Sequence, residues 1–362
     1  MPKLNSLQKK LKTIFKSGML TNSRYVGEFE KKCADFLDVE NVVAVSSGTA
    51  ALTLIFKCLK LEGEVILSSF TFTSGASALL WCGLTPVFVD IDQKTFNINP
   101  ALIEEKITKR TSAILATHVF GNPCEMEKIE AIAKKNNLKV IYDAAHAFGS
   151  TYKGKSVFRF GDASAVSFTP TKVITTAEGG LAIVKDRDFV RILKLGRNNG
   201  DSFNRREEFL GITARMNEFS AILGIESLKI FNKNLKRRLK IINLYKKELA
   251  RVPGVSFQSI ALDSFSVYKD FTIMVDEKKF GFSRDGLLQE LQKRKIECKT
   301  YFYPALHKKK ICLKYANSFL PQTDYVSAHI MSLPLYSQMP EKYVLRVCSA
   351  IKSLNRKSIW QR

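Results

Sequence analysis

The stretch Glu125-Met-Glu-Lys-Ile-Glu-Ala-Ile-Ala-Lys-Lys-Asn136, with Lys139-Val-Ile-Tyr-Asp143 just after it, decides the fold. The first part has the 3.6-residue period of an amphipathic helix. The second is a short apolar run ending on an acidic residue, the pattern of a buried strand. Another apolar run, Ala113–Thr117, precedes both. Strand, helix and strand therefore follow one another. Working outward, further strand-like runs are Val42–Val45, Glu64–Ser68, Pro86–Ile91, Ala163–Phe168 and Gly180–Val184. Helical patterns lie between several of them, at Ala50–Leu61 and Pro100–Lys106. Continuous apolar strands alternating with helices predict an α/β fold of three layers, a mostly parallel sheet covered on both faces.

The pattern changes in the last third. From about Asn217 to Arg251 it is helical, with Phe219, Ile222, Leu223, Leu228 and Ile230 as candidate core positions. Beyond Pro253 come a strand at Ser266–Val275, a helix at Asp285–Arg294 and a final helix near Glu341–Leu354. This predicts a smaller C-terminal α+β domain. The expected division is 1–240, including an N-terminal helical segment, and 241–362, with the break inside the helix around residues 230–250. No internal repeat or low-complexity tract interrupts the chain.

Composition sets the outer limits. A chain of 362 residues with 45% hydrophobic and 25% charged residues can bury a large core without disulfides. Its seven cysteines are odd in number and scattered, with no CxxC and no Cys/His metal spacing. Free thiols in a reducing compartment and no metal site are expected. Neither a signal-peptide pattern nor a run of about 18 apolar residues is present, so the expected location is the cytoplasm, without membrane insertion. The net charge of +23 is spread along the chain. Solvated helix faces explain it, with some help to anionic substrates, and no nucleic-acid motif accompanies it.

Three segments carry chemistry, each at or beyond the C-terminal end of a strand, where open parallel sheets bind ligands. In Val45-Ser-Ser-Gly-Thr-Ala-Ala-Leu a strand turns into a helix. The free N–H groups near Gly48 and the Thr49 hydroxyl suit a phosphate, although simple helix capping leaves the same trace. In Val140-Ile-Tyr-Asp-Ala-Ala-His146, Asp143 fits either an N-cap or a carboxylate held against a protonated ring nitrogen. His146 fits either a core histidine or a cofactor contact. In Ser167-Phe-Thr-Pro-Thr-Lys172, a lysine sits in a threonine-rich turn ahead of Gly179-Gly180. A desolvated lysine loses its proton readily and becomes a nucleophile.

The order of phosphate cradle, acid and lysine is what pyridoxal 5'-phosphate requires: an amine, a carboxylate for its ring nitrogen and donors for its phosphate. Ser167 is a further phosphate donor, and Phe72 in Ser69-Phe-Thr-Phe-Thr is a candidate to stack on the ring.

With these segments the chain resembles the DegT/StrS-type nucleotide-sugar aminotransferases of the aspartate-aminotransferase (fold type I) superfamily. The likeness runs from Val26-Gly-Glu-Phe-Glu to Leu333-Pro-Leu-Tyr. It includes Pro86-Val-Phe-Val-Asp-Ile-Asp, His118-Val-Phe-Gly, Glu178-Gly-Gly, Ala214-Arg-Met-Asn-Glu and Tyr301-Phe-Tyr-Pro-Ala-Leu-His307. The resemblance implies roles. Lys172 matches the Schiff-base lysine, Asp143 the partner of the pyridine nitrogen, and His146 the residue beside the ring hydroxyl. Gly48, Thr49 and Ser167 match phosphate contacts, Phe72 the stacking aromatic, and Tyr301 and His307 the neighbourhood of the sugar. Related dehydratases carry histidine at the lysine position, so Lys172 implies transamination.

The resemblance also implies glutamate and 2-oxoglutarate as the donor pair and a nucleoside-diphosphate-linked keto sugar as acceptor. A homodimer with shared active sites and a place in surface polysaccharide or glycoside biosynthesis follow from it too. One position departs: Thr213 stands where the family usually has an asparagine that reaches the neighbouring subunit's cofactor phosphate. The alternative reading is a cofactor-binding regulator of the same fold without turnover.

Overall fold

Apolar runs become strands in a computed structural model that describes residues 2–201, 209–316 and 318–360. The strands are β1 (Val42–Val45), β2 (Glu64–Ser68), β3 (Thr85–Val89), β4 (Thr111–Thr117), β5 (Lys139–Asp143), the short hairpin β6 (Thr151–Tyr152) and β7 (Lys155–Ser156), then β8 (Ala163–Ser167) and β9 (Gly180–Val184). All but the hairpin form one sheet in the order β1-β9-β8-β5-β4-β2-β3. Neighbours from β8 to β3 pair in parallel, whereas β9 runs antiparallel to both β8 and β1. The reversal has a simple cause. No crossover helix separates β8 from β9, and a loop alone returns the chain antiparallel.

Side chains alternate between the two faces, as a pleated strand demands. Val140 and Tyr142 belong to one apolar cluster and Ile141 to the other. Three helices cover the first face: α2 (Arg24–Leu37), α5 (Met126–Lys135) and α7 (Glu218–Lys229), through Phe29, Ile129 and Ile222. Helix α1 (Leu4–Ser17) adds Ile14 to the same cluster. The second face is covered by α3 (Gly48–Cys58), α4 (Ser74–Trp81) and α6 (Asp188–Gly196), through Ile55, Leu79 and Leu193. The buried Glu218 carboxylate accepts backbone N–H groups of Ser23, Tyr25 and Val26 at 2.8–3.0 Å. Three orphan donors at the start of α2 are thereby satisfied by an anion suited to a helix N-terminus.

Helix α8 (Phe231–Leu249) joins the two units. Its Phe231 and Leu235 pack on the first cluster, while Ile241, Tyr245 and Leu249 enter a third one. The division expected between residues 240 and 241 falls inside this helix. The third cluster lies on an antiparallel sheet of β10 (Val255–Phe257), β12 (Phe271–Val275) and β13 (Ile330–Leu333). Strand β11 (Ser264–Phe265) instead pairs with β6. The remaining helices are α9 (Glu277–Phe280), α10 (Arg284–Lys293), α11 (Pro321–His329) and α12 (Glu341–Trp360). Leu306, Cys312 and Leu320 return to the second face of the large sheet.

Four sequence expectations need correction. Pro100–Lys106 forms two 3-10 turns, Pro100–Leu102 and Glu104–Lys106, because so short a segment gains little from α-helix propagation. The helical pattern of residues 217–251 breaks at Ile230, where Phe231 inserts edge-on between Phe36 and Phe148. Phe219 is 36% exposed and meets only Phe15 among aromatic rings of the described residues. The strand expected over 266–275 begins at Phe271. Before it, the Tyr268 and Lys269 carbonyls accept from the Arg238 guanidinium, and the Lys269 N–H donates to Phe120 O. Those backbone groups are therefore unavailable to a ladder.

Candidate active site

The C-terminal ends of β1, β4, β5 and β8 open into one cleft of about 870 Å³, its solvent-open mouth included. Its lining contains Gly48, Thr49, Phe72, Asp143, His146, Ser167, Lys172 and Tyr301. Residues far apart in the chain thus meet at one place.

The cradle comes from β1 and α3. Ser47 caps the helix by accepting the Ala50 N–H at 3.1 Å. The Gly48 and Thr49 N–H groups lie in the first helical turn, which has no acceptors four residues back. Two glycines permit the approach of the strands beneath. A Cβ on Gly180 would lie 2.6 Å from the Ser47 carbonyl carbon and 2.7 Å from Val166 O. A Cβ on Gly48 would lie 2.9 Å from Ser167 Cβ. This contact sets the Ser167 hydroxyl beside the start of α3, and amides, hydroxyl and helix dipole together favour an anion.

Lys172 lies on a loop whose neck is closed by the Phe168 N–H to Gly179 O and the Thr176 N–H to Phe168 O, at 2.9 and 3.1 Å. The threonines are internal ties: Thr175 Oγ1 donates to Phe168 O and Thr176 Oγ1 to Glu178 O. Burial pushes the Lys172 amine down from 10.5 to about 8, the nearby Lys269 charge pushes the same way, and Asp143 and Asp270 oppose it. A useful fraction of the amine is therefore neutral near pH 7.

Asp143 ends β5, buried, accepting the Ala145 N–H at 3.1 Å. Burial raises its pKa, against the Ala145 bond and the Lys172 charge. A carboxylate so placed gains from a cationic partner in the cleft. His146 Nδ1 accepts the Phe120 N–H at 3.2 Å, which assigns the ring proton to Nε2. Burial, then the charges of Lys172 and Lys269, hold the ring neutral. It lies nearly parallel to Phe120 and Phe302, with centroids 6.1 and 6.2 Å away.

A sequence model of the DegT/DnrJ/EryC1/StrS aminotransferase family matches residues 4–352. The chain belongs to this family. GDP-perosamine synthase of Caulobacter vibrioides is 34% identical over 333 residues, 91% of this chain and 89% of that protein. The dTDP-4-amino-4,6-dideoxy-D-glucose transaminase of Escherichia coli is 34% identical over 358 residues, 96% of this chain and 95% of that protein. Among solved structures, DesI in the presence of its TDP-sugar product superposes with a TM-score of 0.94 at 30% identity, covering 100% of this chain and 93% of that one. NtdA of Bacillus subtilis, bound to the cofactor PMP, superposes at 0.89 with 26% identity, covering 98% and 83%. The resemblance read from the motifs, the α/β fold with a mostly parallel sheet and the aminotransferase class all stand.

The family is dependent on pyridoxal phosphate, and the cleft's donor set fits that group. An amine of lowered pKa, a buried carboxylate and a helix N-terminus stand in one cavity. Phe72, 55% exposed, adds an aromatic ring to the lining.

Two residues named from the sequence do not line this cleft, as expected for Thr213, which the resemblance assigns to the neighbouring subunit's site. Thr213 is exposed, donates to Asn199 Oδ1 at 2.8 Å and is absent from the lining of its own chain's cleft. His307, expected near the sugar, is also absent from the lining. Its Nδ1 bonds Ser69 Oγ at 2.7 Å and its Nε2 meets Asp324 Oδ1 at 3.1 Å, so both nitrogens tie α11 to the end of β2.

The sequence reading missed Lys269, Asp270 and Phe302, which also line the cleft. A trace of the first two was present: a lysine and an aspartate interrupt the apolar run at Val267–Val275.

Proposed function

We propose that this family member transfers the amino group of glutamate to the ketone of a nucleoside-diphosphate-linked deoxy sugar, in the cytoplasm, for surface polysaccharide or glycoside biosynthesis. The observation that carries the reading is the convergence of Lys172, Asp143 and the α3 N-terminus in one cleft. The printed activities of the two curated relatives, a GDP-sugar and a dTDP-sugar enzyme, support the acceptor class. Seven free cysteines agree with a reducing compartment.

Bound pyridoxal phosphate supplies an aldehyde that carries the amino group and a ring that accepts charge from the reacting carbon. Lys172 would hold that aldehyde and would move the proton at the reacting carbon. Its lowered pKa suits both tasks, since it gives and takes a proton near neutral pH. Asp143 would pair with the ring nitrogen and keep it protonated. Nε2–H of His146 would donate to the ring hydroxyl. Gly48, Thr49 and Ser167 would hold the phosphate, Phe72 would stack on the ring and Tyr301 would contact the sugar. Two chains complete each site in this reading, with Thr213 reaching across to the partner's cleft, which agrees with its exposure and its absence from the lining of its own cleft.

The test has two parts. Borohydride treatment followed by peptide mapping places the cofactor label on Lys172, and glutamate-dependent amination is then assayed across keto sugars linked to dTDP, UDP and GDP. A label on another side chain refutes the assignment of Lys172. A label on Lys172 with no amination of any of these sugars favours a regulator of the same fold.

A further inference from the structure

The proposed roles leave one buried charge in the cleft unused. Lys269 lines the same cavity as Lys172, Asp143 and His146, yet its side chain is only 5% exposed. An ammonium withheld from water is costly unless it is held. Here the backbone and the head are both held. The Lys269 N–H donates to Phe120 O at 2.8 Å, and the buried Arg238 donates to the Tyr268 and Lys269 carbonyls. Nζ donates to Asp270 Oδ2 at 2.8 Å and stands 4.8 Å from the centre of the Tyr301 ring.

We infer that Lys269 is a positioning residue for the Lys172 amine: a fixed neighbouring cation, balanced by Asp270, that sets how readily that amine gives up its proton. The inference rests on the reading of Lys172 as the amine that bonds the cofactor. Two ammonium groups in one poorly hydrated cavity repel. Lys269 has an anion and an aromatic face to stabilise its charge, so Lys172 is the one that yields. Desolvation is the first cause of the low Lys172 pKa and Lys269 the second, with Asp143 and Asp270 pulling upward. His146 faces the same space from the turn after β5 and stays neutral. The Tyr301 ring completes the surroundings of the Lys269 head.

The test is trace acetylation of full-length, cofactor-stripped protein with acetic anhydride, from about pH 6 to about pH 10, reading Lys172 by peptide mass mapping. Lys269→Met raises the labelling midpoint of Lys172 by about one unit, an approximately eightfold loss of labelling near pH 7.4 relative to its own alkaline plateau. Lys269→Arg leaves the midpoint near that of the parent, and Asp270→Asn lowers it. A purely structural role moves none of these in this order. An unchanged midpoint in Lys269→Met, or an equal rise in Lys269→Arg, overturns the inference. Borohydride mapping is independent of this result. A cofactor label elsewhere ends the assignment of Lys172, while the acetylation profiles still decide whether the two lysines are coupled.

Discussion

Replacing Lys172 with methionine should stabilise the cofactor-free protein at neutral pH. The substitution keeps an unbranched side chain and removes the amine. In the folded chain that amine titrates at about 8, against 10.5 for an ordinary lysine, chiefly because burial withholds water from the charge. The unfolded chain keeps the ordinary value. Below pH 8 both states hold the proton and the native state bears the whole cost. Between about 8 and 10.5 the unfolded state binds more protons, so the parent's stability rises with pH. A depression of this size corresponds to roughly 3 kcal/mol. Part of the gain is offset because Asp143 loses a counter-charge. Lys172→Met should therefore exceed the parent by up to about 3 kcal/mol at pH 7, and the difference should shrink above pH 8. Urea unfolding of both stripped proteins at several pH values measures it, at close to 1 M in midpoint for a slope of about 3 kcal/mol/M. A gap independent of pH, or one that widens as alkalinity rises, would refute the argument.

Three further outcomes are expected. Gly180→Ala forces a methyl into backbone atoms of Ser47 and Val166 at 2.6–2.7 Å. It should destabilise the protein by about 3 kcal/mol and weaken cofactor binding at least tenfold, whereas Gly286→Ala, whose nearest neighbours would lie at 3.4 Å, should melt at or above the parent temperature. Differential scanning fluorimetry and a cofactor titration check the pair. Asp143→Asn should lower kcat by about 10²–10³ with little change in stripped-protein stability, since burial already disfavours that charge; steady-state kinetics beside a denaturation curve separates the two. Thr213→Asn should tighten cofactor binding by up to about tenfold, the worth of one hydrogen bond, and Thr213→Val should not; equal affinities in equilibrium dialysis would remove Thr213 from the partner's site.

The strands of the large sheet were legible because most of their residues are buried on both faces, so that they read as continuous apolar runs. Val42–Val45, Lys139–Asp143 and Gly180–Val184 begin and end where the run does. The direction of β9 was not legible, since periodicity carries no sign; only the missing helix between Ser167 and Gly180 hinted at it. Phe219 shows the limit of a helical pattern, which gives a face but not what covers it. In the site, Asp143 could be found because it ends a strand, and Lys172 because it sits in the threonine-rich turn five residues beyond the end of another. Lys269 and Asp270 left only a trace, because a strand pattern absorbed them, and the bonds that hold Tyr268 and Lys269 out of the ladder come from Arg238 and Phe120, distant in sequence. His307 illustrates the reverse: a motif named its neighbourhood, but Ser69 and Asp324 had already taken both its nitrogens.

The arrangement of charge in the cleft bears on why the chain spends two buried lysines there. Lys172 and Lys269 face Asp143 and Asp270, so a fully ionised cavity would be neutral. Neutrality is not symmetry, because the partners differ. Asp270 is tied directly to Lys269 at 2.8 Å, whereas Asp143 is held by the Ala145 N–H and acts on Lys172 only through space. One cation is thus locked and the other left loosely paired. In the proposed reading Asp143 would pair with the cofactor's ring nitrogen, and a carboxylate so engaged would support less charge on Lys172. The α3 amides, rather than either lysine, are the proposed donors to the phosphate. On that reading, binding the cofactor would itself favour the neutral Lys172 amine, with Lys269 as the fixed charge beside it.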